Sequence, residues 1–166
     1  MHKIVAMVGA GMLSIAAGQA VAQISPADKT FATKAAEGGQ AEVSLGQLAS
    51  EKAGSQQVRQ FGQQMVKDHS QANAELQTIA KQQNLALPTK PDSASIQTEQ
   101  RLKSTSGSAF DTAYARDMVK DHEEDVADFK KEAQSGQDPA LKAFAQKYLP
   151  VLQHHLEMAQ QISGGH

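Results

Sequence analysis

Apolar and small residues recur along the chain in alternating steps of four and three, the spacing that lines one face of an α-helix. Four such stripes stand out. The first runs Phe31, Ala35, Gly38, Glu42, Leu45 and Ala49, and the second Val58, Gly62, Met65, His69, Ala72, Leu76 and Ile79. The third is Ala115, Met118, His122, Asp125 and Phe129, flanked by Tyr114, Val119 and Val126. The fourth is Leu141, Ala145, Tyr148, Leu152, His155, Ala159 and Ile162. Each stripe predicts a long helix with one face in a shared core. The breaks are equally legible. Gly54-Ser55 separates the first two helices, and Gly136-Gln137-Asp138-Pro139 the last two, with Asp138 as N-cap and Pro139 as the first helical residue. Turns this short make antiparallel hairpins. Residues 84–107, with Pro88, Pro91 and Gly107, are too long for such a turn and predict a crossover, with Ser93–Ser104 as a short helix inside it. The expected fold class is all-α: a ferritin-like four-helix bundle of two antiparallel hairpins joined by a long crossover. Gly38-Gly39 on the first helix predicts a close helix approach, with a local kink as the alternative.

Composition supports helices, being rich in Ala, Gln, Lys, Glu and Leu and lacking Trp. It also narrows the chemistry. A chain of 166 residues with no cysteine has no disulfide, thiolate or Cys-based zinc site. The formal charge is −2, without a basic block, so nucleic acid is not an expected partner. The N-terminus predicts export: His2 and Lys3 precede the uncharged run Ile4–Ala17, and Ala20-Val21-Ala22 supplies a small-x-small cleavage site. The apolar run is shorter than the roughly 20 residues of a membrane span. We therefore divide the chain into a cleaved signal peptide at 1–22 and a single bundle domain at 23–166, periplasmic or secreted, with no transmembrane anchor after processing.

The chemistry concentrates on a repeat. "MVKDH" occurs at Met65–His69 and again at Met118–His122, with Phe61 and Tyr114 each four residues before the Met. Each long helix thus carries one metal-competent side chain on its stripe: Glu42, His69, His122 and His155. Buried polar groups without partners cost about 1–3 kcal/mol each, so four of them need each other, water or a metal. Counting from the Gly54 end spreads them over roughly 12 Å at one helical rise per residue, which suits an elongated or two-ion site. His69 and His122 lie on opposite sides of the crossover and are expected to face each other in the core. Asp125, one turn after His122, is a further candidate ligand. Asp68 and Asp121 each precede a seam histidine and could orient an imidazole on a neighbouring helix. Met65 and Met118 lie one turn from a histidine, as does Met158 from His154 and His155; they would favour a soft ion such as copper(I), or simply fill the core. Copper, zinc and iron are the candidate ions. The Glu-x-x-His pairs of a di-iron centre are missing, since Val66, Val119 and Leu152 stand three residues before the histidines.

The stretches "AAEGGQAEVSLGQLASEKA" (Ala35–Ala53), both "MVKDH" copies, "FDTAYARDMVKDHEEDV" (Phe110–Val126) and "LPVLQHHLEMAQ" (Leu149–Gln160) resemble the bacterial "domain of unknown function 4142" family. The resemblance implies an exported ferritin-like four-helix bundle and no established activity. Three functional expectations follow. One is a periplasmic metal-binding bundle that buffers an ion or protects the envelope under stress. Another is a non-catalytic structural or interaction module with hydrogen-bonded core histidines. The third is a redox enzyme using the same site. Mass spectrometry of the protein recovered from the envelope is expected to show a mature chain beginning at Gln23, and an intact N-terminus would overturn the export reading.

Overall fold

The computed structural model describes residues 24–164, so the signal peptide expected at 1–22 and the last two residues lie outside the described residues. Five helices follow in order: α1 (Pro26–Lys52), α2 (Gln56–Gln82), α3 (Ser93–Lys103), α4 (Gly107–Ser135) and α5 (Pro139–Gly164). The chain is an all-α bundle. No helix of the described residues is long and apolar enough to cross a membrane.

The helices begin where side chains can replace missing backbone partners. Ser25 accepts from the Asp28 N–H ahead of Pro26, and Ser55 accepts from the Val58 N–H. Asp92 accepts from Ala94 and Ser95 at the start of α3. Asp138 accepts from Ala140 and Leu141 at the start of α5, the cap expected there. α5 runs on through Pro150, which interrupts its hydrogen-bond ladder. The apolar face of α5 stays buried on both sides of it, at Tyr148 and Leu152.

α1 and α2 form one hairpin, α4 and α5 the other. α1 packs on α4, and α2 on α5. The approach of α1 to α2 is set by glycine. A Cβ on Gly46 would lie 2.6 Å from the Gly62 carbonyl oxygen, and one on Gly62 would lie 2.7 Å from that of Gly46. Gly39 is likewise pressed by the Asn73 side chain, whereas Gly38 has its nearest neighbour, Asp125 Oδ1, at an ordinary 3.8 Å. The expected close approach thus belongs to Gly39 and not Gly38, and α1 continues unbroken through both. The α1 core face is also wider than its predicted stripe: Ala32, Ala36 and Gly39 are buried, while Ala35 and Gly38 are only half-buried. α3 docks by one fully buried residue, Leu102, and by an Arg101–Asp117 ion pair of 2.6 Å.

Two buried aspartates join the hairpins end to end. Asp111 of α4 accepts from the backbone N–H groups of Gly54 and Ser55, at 2.9 and 2.8 Å, in the α1–α2 turn. Asp28 of α1 accepts from Gln137 and Asp138, at 3.1 and 2.9 Å, in the α4–α5 turn. Each hairpin therefore clasps the turn of the other. These contacts put the start of α2 beside the start of α4, so the two repeat-bearing helices run in the same direction. Replacing Asp28 or Asp111 by Ala removes two charge-assisted bonds and leaves two amides unpaired. Chemical denaturation is expected to show a loss of about 2–4 kcal/mol for either variant, and a loss below about 0.5 kcal/mol would reduce the clasp to an ordinary surface contact.

Candidate metal centre

The apolar core falls into two parts. One, at the turn between α1 and α2, contains Leu45, Val58, Phe61, Met65, Phe110, Tyr114, Met118 and Ile162. The other, at the opposite end, contains Phe31, Leu76, Phe129, Leu141, Phe144 and Leu152. Four polar side chains are buried between them: Glu42, His69, His122 and His155, all at most 6 % exposed. They arrive on α1, α2, α4 and α5, one per long helix.

The imidazoles form a triangle. Ring centroids are 5.9 Å apart for His69–His122, 5.4 Å for His69–His155 and 5.5 Å for His122–His155. One ring nitrogen from each lies within 4.8 Å of the others. Glu42 sits against two of them, with Oε2 2.6 Å from His69 Nε2 and Oε1 3.3 Å from His122 Nδ1. The roughly 12 Å spread expected from the Gly54 end is therefore too large. That count relied on the C-terminal end of α5, which no turn ties to Gly54. Counted from the other end (Pro26, Gln82, Ser135 and Pro139), the four residues fall within about three positions, roughly 4.5 Å.

Outer partners set the imidazole tautomers. His122 Nδ1 lies 2.9 Å from the Met118 carbonyl, which can only accept, so Nδ1 carries the proton and Nε2 a lone pair. His155 Nε2 lies 2.9 Å from Asp68 Oδ2, and Asp68 also accepts from Gln64 at 2.6 Å. Burial opposes ionisation of Asp68, but these two partners hold its carboxyl below the usual range. His155 therefore donates through Nε2 and keeps its Nδ1 lone pair. His122 Nε2, His155 Nδ1, His69 Nε2 and both Glu42 oxygens are buried with no aligned hydrogen-bond partner among the described residues. The short Glu42–His69 contact is an ion-pair distance without hydrogen-bond alignment.

Charge is divided unevenly over the site. Burial alone would raise Glu42, but His122 and His69 outweigh it and bring the carboxyl down to about 2. Burial would lower His69, and Glu42 overrides it to raise the imidazole above 6.5. Burial wins at the other two: it lowers His122, and it brings His155 down to about 4 against the opposing pull of Asp68. The site holds one anion beside one readily protonated imidazole and two neutral ones.

The remaining candidates are placed differently. Met65 and Met118 are fully buried in the first apolar cluster, and Met158 packs against it. Asp121 and Asp125 stand outside the histidine triangle, on the wall of a cleft that also reaches Glu42. Burial first, and then the charge of Glu42, push Asp121 up to about 7 and Asp125 well above the usual carboxylate range. Asp125 also lines a void of about 20 Å³ beside His69 and His155. The "MVKDH" copies do oppose each other: Phe61 and Tyr114 pack at 6.1 Å between ring centroids, one step from the His69–His122 pair. Sequence reasoning missed Asp28 and Asp111, because an acidic residue near a helix start looks like a solvated cap until the other hairpin is in place.

The family model described as Domain of unknown function (DUF4142) matches residues 14–162. Neither a curated protein nor a solved structure matches the chain.

His155 gives the metal-free protein a defined pH response. Its folded value, about 4, lies below the unfolded 6.5, so the unfolded chain binds more protons between the two. Wild type therefore loses stability from this group as pH falls through that window. Comparing wild type with His155→Gln by denaturation in chelator, the variant is expected to gain on wild type by up to about 1.4 kcal/mol per pH unit between pH 6.5 and 4. A difference independent of pH would mean that His155 is not held neutral.

Proposed function

The chain belongs to the DUF4142 family, and we propose that it is an exported ferritin-like four-helix bundle that holds one divalent transition-metal ion at Glu42, His69, His122 and His155. The observation that carries this reading is the convergence of three buried imidazoles, each with a ring nitrogen lacking an aligned partner, beside the buried Glu42 carboxylate. Leaving so many donor atoms unsatisfied would cost about 1–3 kcal/mol each, and a cation offsets that cost at a single point. Three imidazoles and a carboxylate are a donor set for zinc, copper(II) or ferrous iron. The thioethers of Met65 and Met118 belong to the apolar cluster, which argues against copper(I).

The protein's own groups support such a role. Asp68 and the Met118 carbonyl fix two imidazoles with their lone pairs free, the usual task of residues behind a metal ligand. Glu42 supplies the negative charge. An ion bound here would tie together all four long helices and stabilise the folded state by mass action. This suits buffering of a metal, or envelope protection, better than turnover, because the Glu-x-x-His pairs of an oxygen-activating di-iron site are missing. A second reading rests on the Glu42–His69 contact: an ion pair that fixes helix register in a structural or interaction module of the envelope.

Calorimetric titration of the metal-free protein with zinc, copper(II) and iron(II) separates the two. One ion per chain is expected, with a raised melting temperature. Affinity should fall at acid pH, since binding displaces the His69 proton. His69→Ala with His122→Ala should abolish stoichiometric binding. No binding at neutral pH, or equal affinity in the double variant, would leave the ion pair as the explanation.

A further inference from the structure

One opening connects Glu42 to solvent with a distinct chemical character. It is a cleft of about 310 Å³ walled by α1 and α4 and by the start of α3, and carboxyl groups line it from rim to floor. Glu37, Glu124 and Asp128 stand at the rim, Asp121 and Asp125 on the wall, and Glu42 at the bottom. Glu42 is only 2 % exposed, with both oxygens lacking an aligned partner among the described residues. The cleft therefore ends on a buried anion that has His69 as an ion-pair neighbour but no aligned hydrogen-bond donor among the described residues. Lys34 is the one cationic side chain lining it, and pairs with Asp128 from α1 to α4 at 2.8 Å. The void on the other side of the histidines offers no equivalent. It measures about 20 Å³, and Phe129, Phe144, Tyr148 and Leu152 form much of its lining. Asp68 and Asp125 also reach it, but a void of that size has room for about one water and none for a hydrated cation.

We propose that this acidic cleft is the passage by which a divalent cation reaches Glu42 and the histidine triangle, with the Lys34–Asp128 pair across its mouth as an electrostatic gate. The inference rests on the metal reading above and adds the route to that site. Carboxyl oxygens along the wall replace the ion's water one at a time, so dehydration is spread over the path. Anions are repelled at the rim. Lys34 opposes cations there and neutralises part of the field, which makes the two sides of the mouth antagonistic.

The test is the rate at which cobalt(II), followed by its visible absorption in a stopped-flow mixer, binds the metal-free protein. Glu37→Gln with Glu124→Gln removes two rim charges that touch no proposed ligand, and is expected to slow association about 3- to 10-fold at low salt. Lys34→Gln should accelerate it about 2- to 5-fold. Both differences should collapse at about 0.5 M salt, where screening is nearly complete over a few ångströms. Stoichiometry should stay at one ion per chain in every variant. Glu51→Gln with Glu157→Gln makes the same change in net charge outside the cleft, and should leave the rate within about 2-fold of wild type. If the rim variants bind at the wild-type rate, or the outer pair slows binding as much as the rim pair, the passage is refuted while the metal site stands. Failure of wild type to bind cobalt at all overturns both.

Discussion

A carboxylate buried among three imidazoles is the constraint to which the rest of this molecule answers. An isolated charge at such depth would be prohibitively costly, so Glu42 must have its counter-charges within a few ångströms. His69, at 2.6 Å, supplies the nearest. Because each of the four groups comes from a different long helix, the requirement fixes the relative height of all four. It also interrupts the apolar core, leaving one cluster toward the α1–α2 turn and another toward the α4–α5 turn. The bundle is two greasy ends around a polar waist.

Such a waist gives little cohesion by itself, and the two ends are reinforced by another device. Asp111 and Asp28 each reach from one hairpin to the turn of the other, accepting two backbone N–H bonds apiece. Between the two ends, the two "MVKDH" segments face each other at the centre. Glycine completes it. Gly46 and Gly62 let α1 and α2 come close enough for the Glu42 and His69 side chains to meet without reaching.

Polarity is graded from that waist outward. His122 and His155 are kept neutral by burial, and their outer nitrogens are committed to the Met118 carbonyl and Asp68. On one side lies a void of about 20 Å³, lined largely by Phe129, Phe144 and Tyr148 with Asp68 and Asp125 beside them. On the other a carboxyl-lined cleft opens under the crossover helix. The two sides are chemically unequal, which a purely register-holding polar layer would not require.

Periodicity determined a great deal on its own. The stripes, the N-cap at Asp138, the two short turns and the crossover helix follow from local preferences that act within a few residues; α5 buries its whole stripe, and α2 and α4 bury theirs except for the half-buried Ala72, Ile79 and Asp125. Pairing of His69 with His122 followed from topology, since a crossover lets α2 and α4 run the same way. Height was different. The short turns tie Glu42 to His69 and His122 to His155, but nothing in the sequence sets one hairpin's height against the other, so the four polar residues could be assigned to one seam but not to one level. Contacts between the hairpins supply that reference: Asp28 accepts from Gln137 and Asp138, and Gln83 donates to the Asp138 carboxylate. Asp28 and Asp111 themselves were illegible, because the amides they bind are distant in sequence. The elevated state of Asp121 and Asp125 was equally so, because it depends first on how deeply the fold buries each carboxyl and then on Glu42, brought beside them from α1.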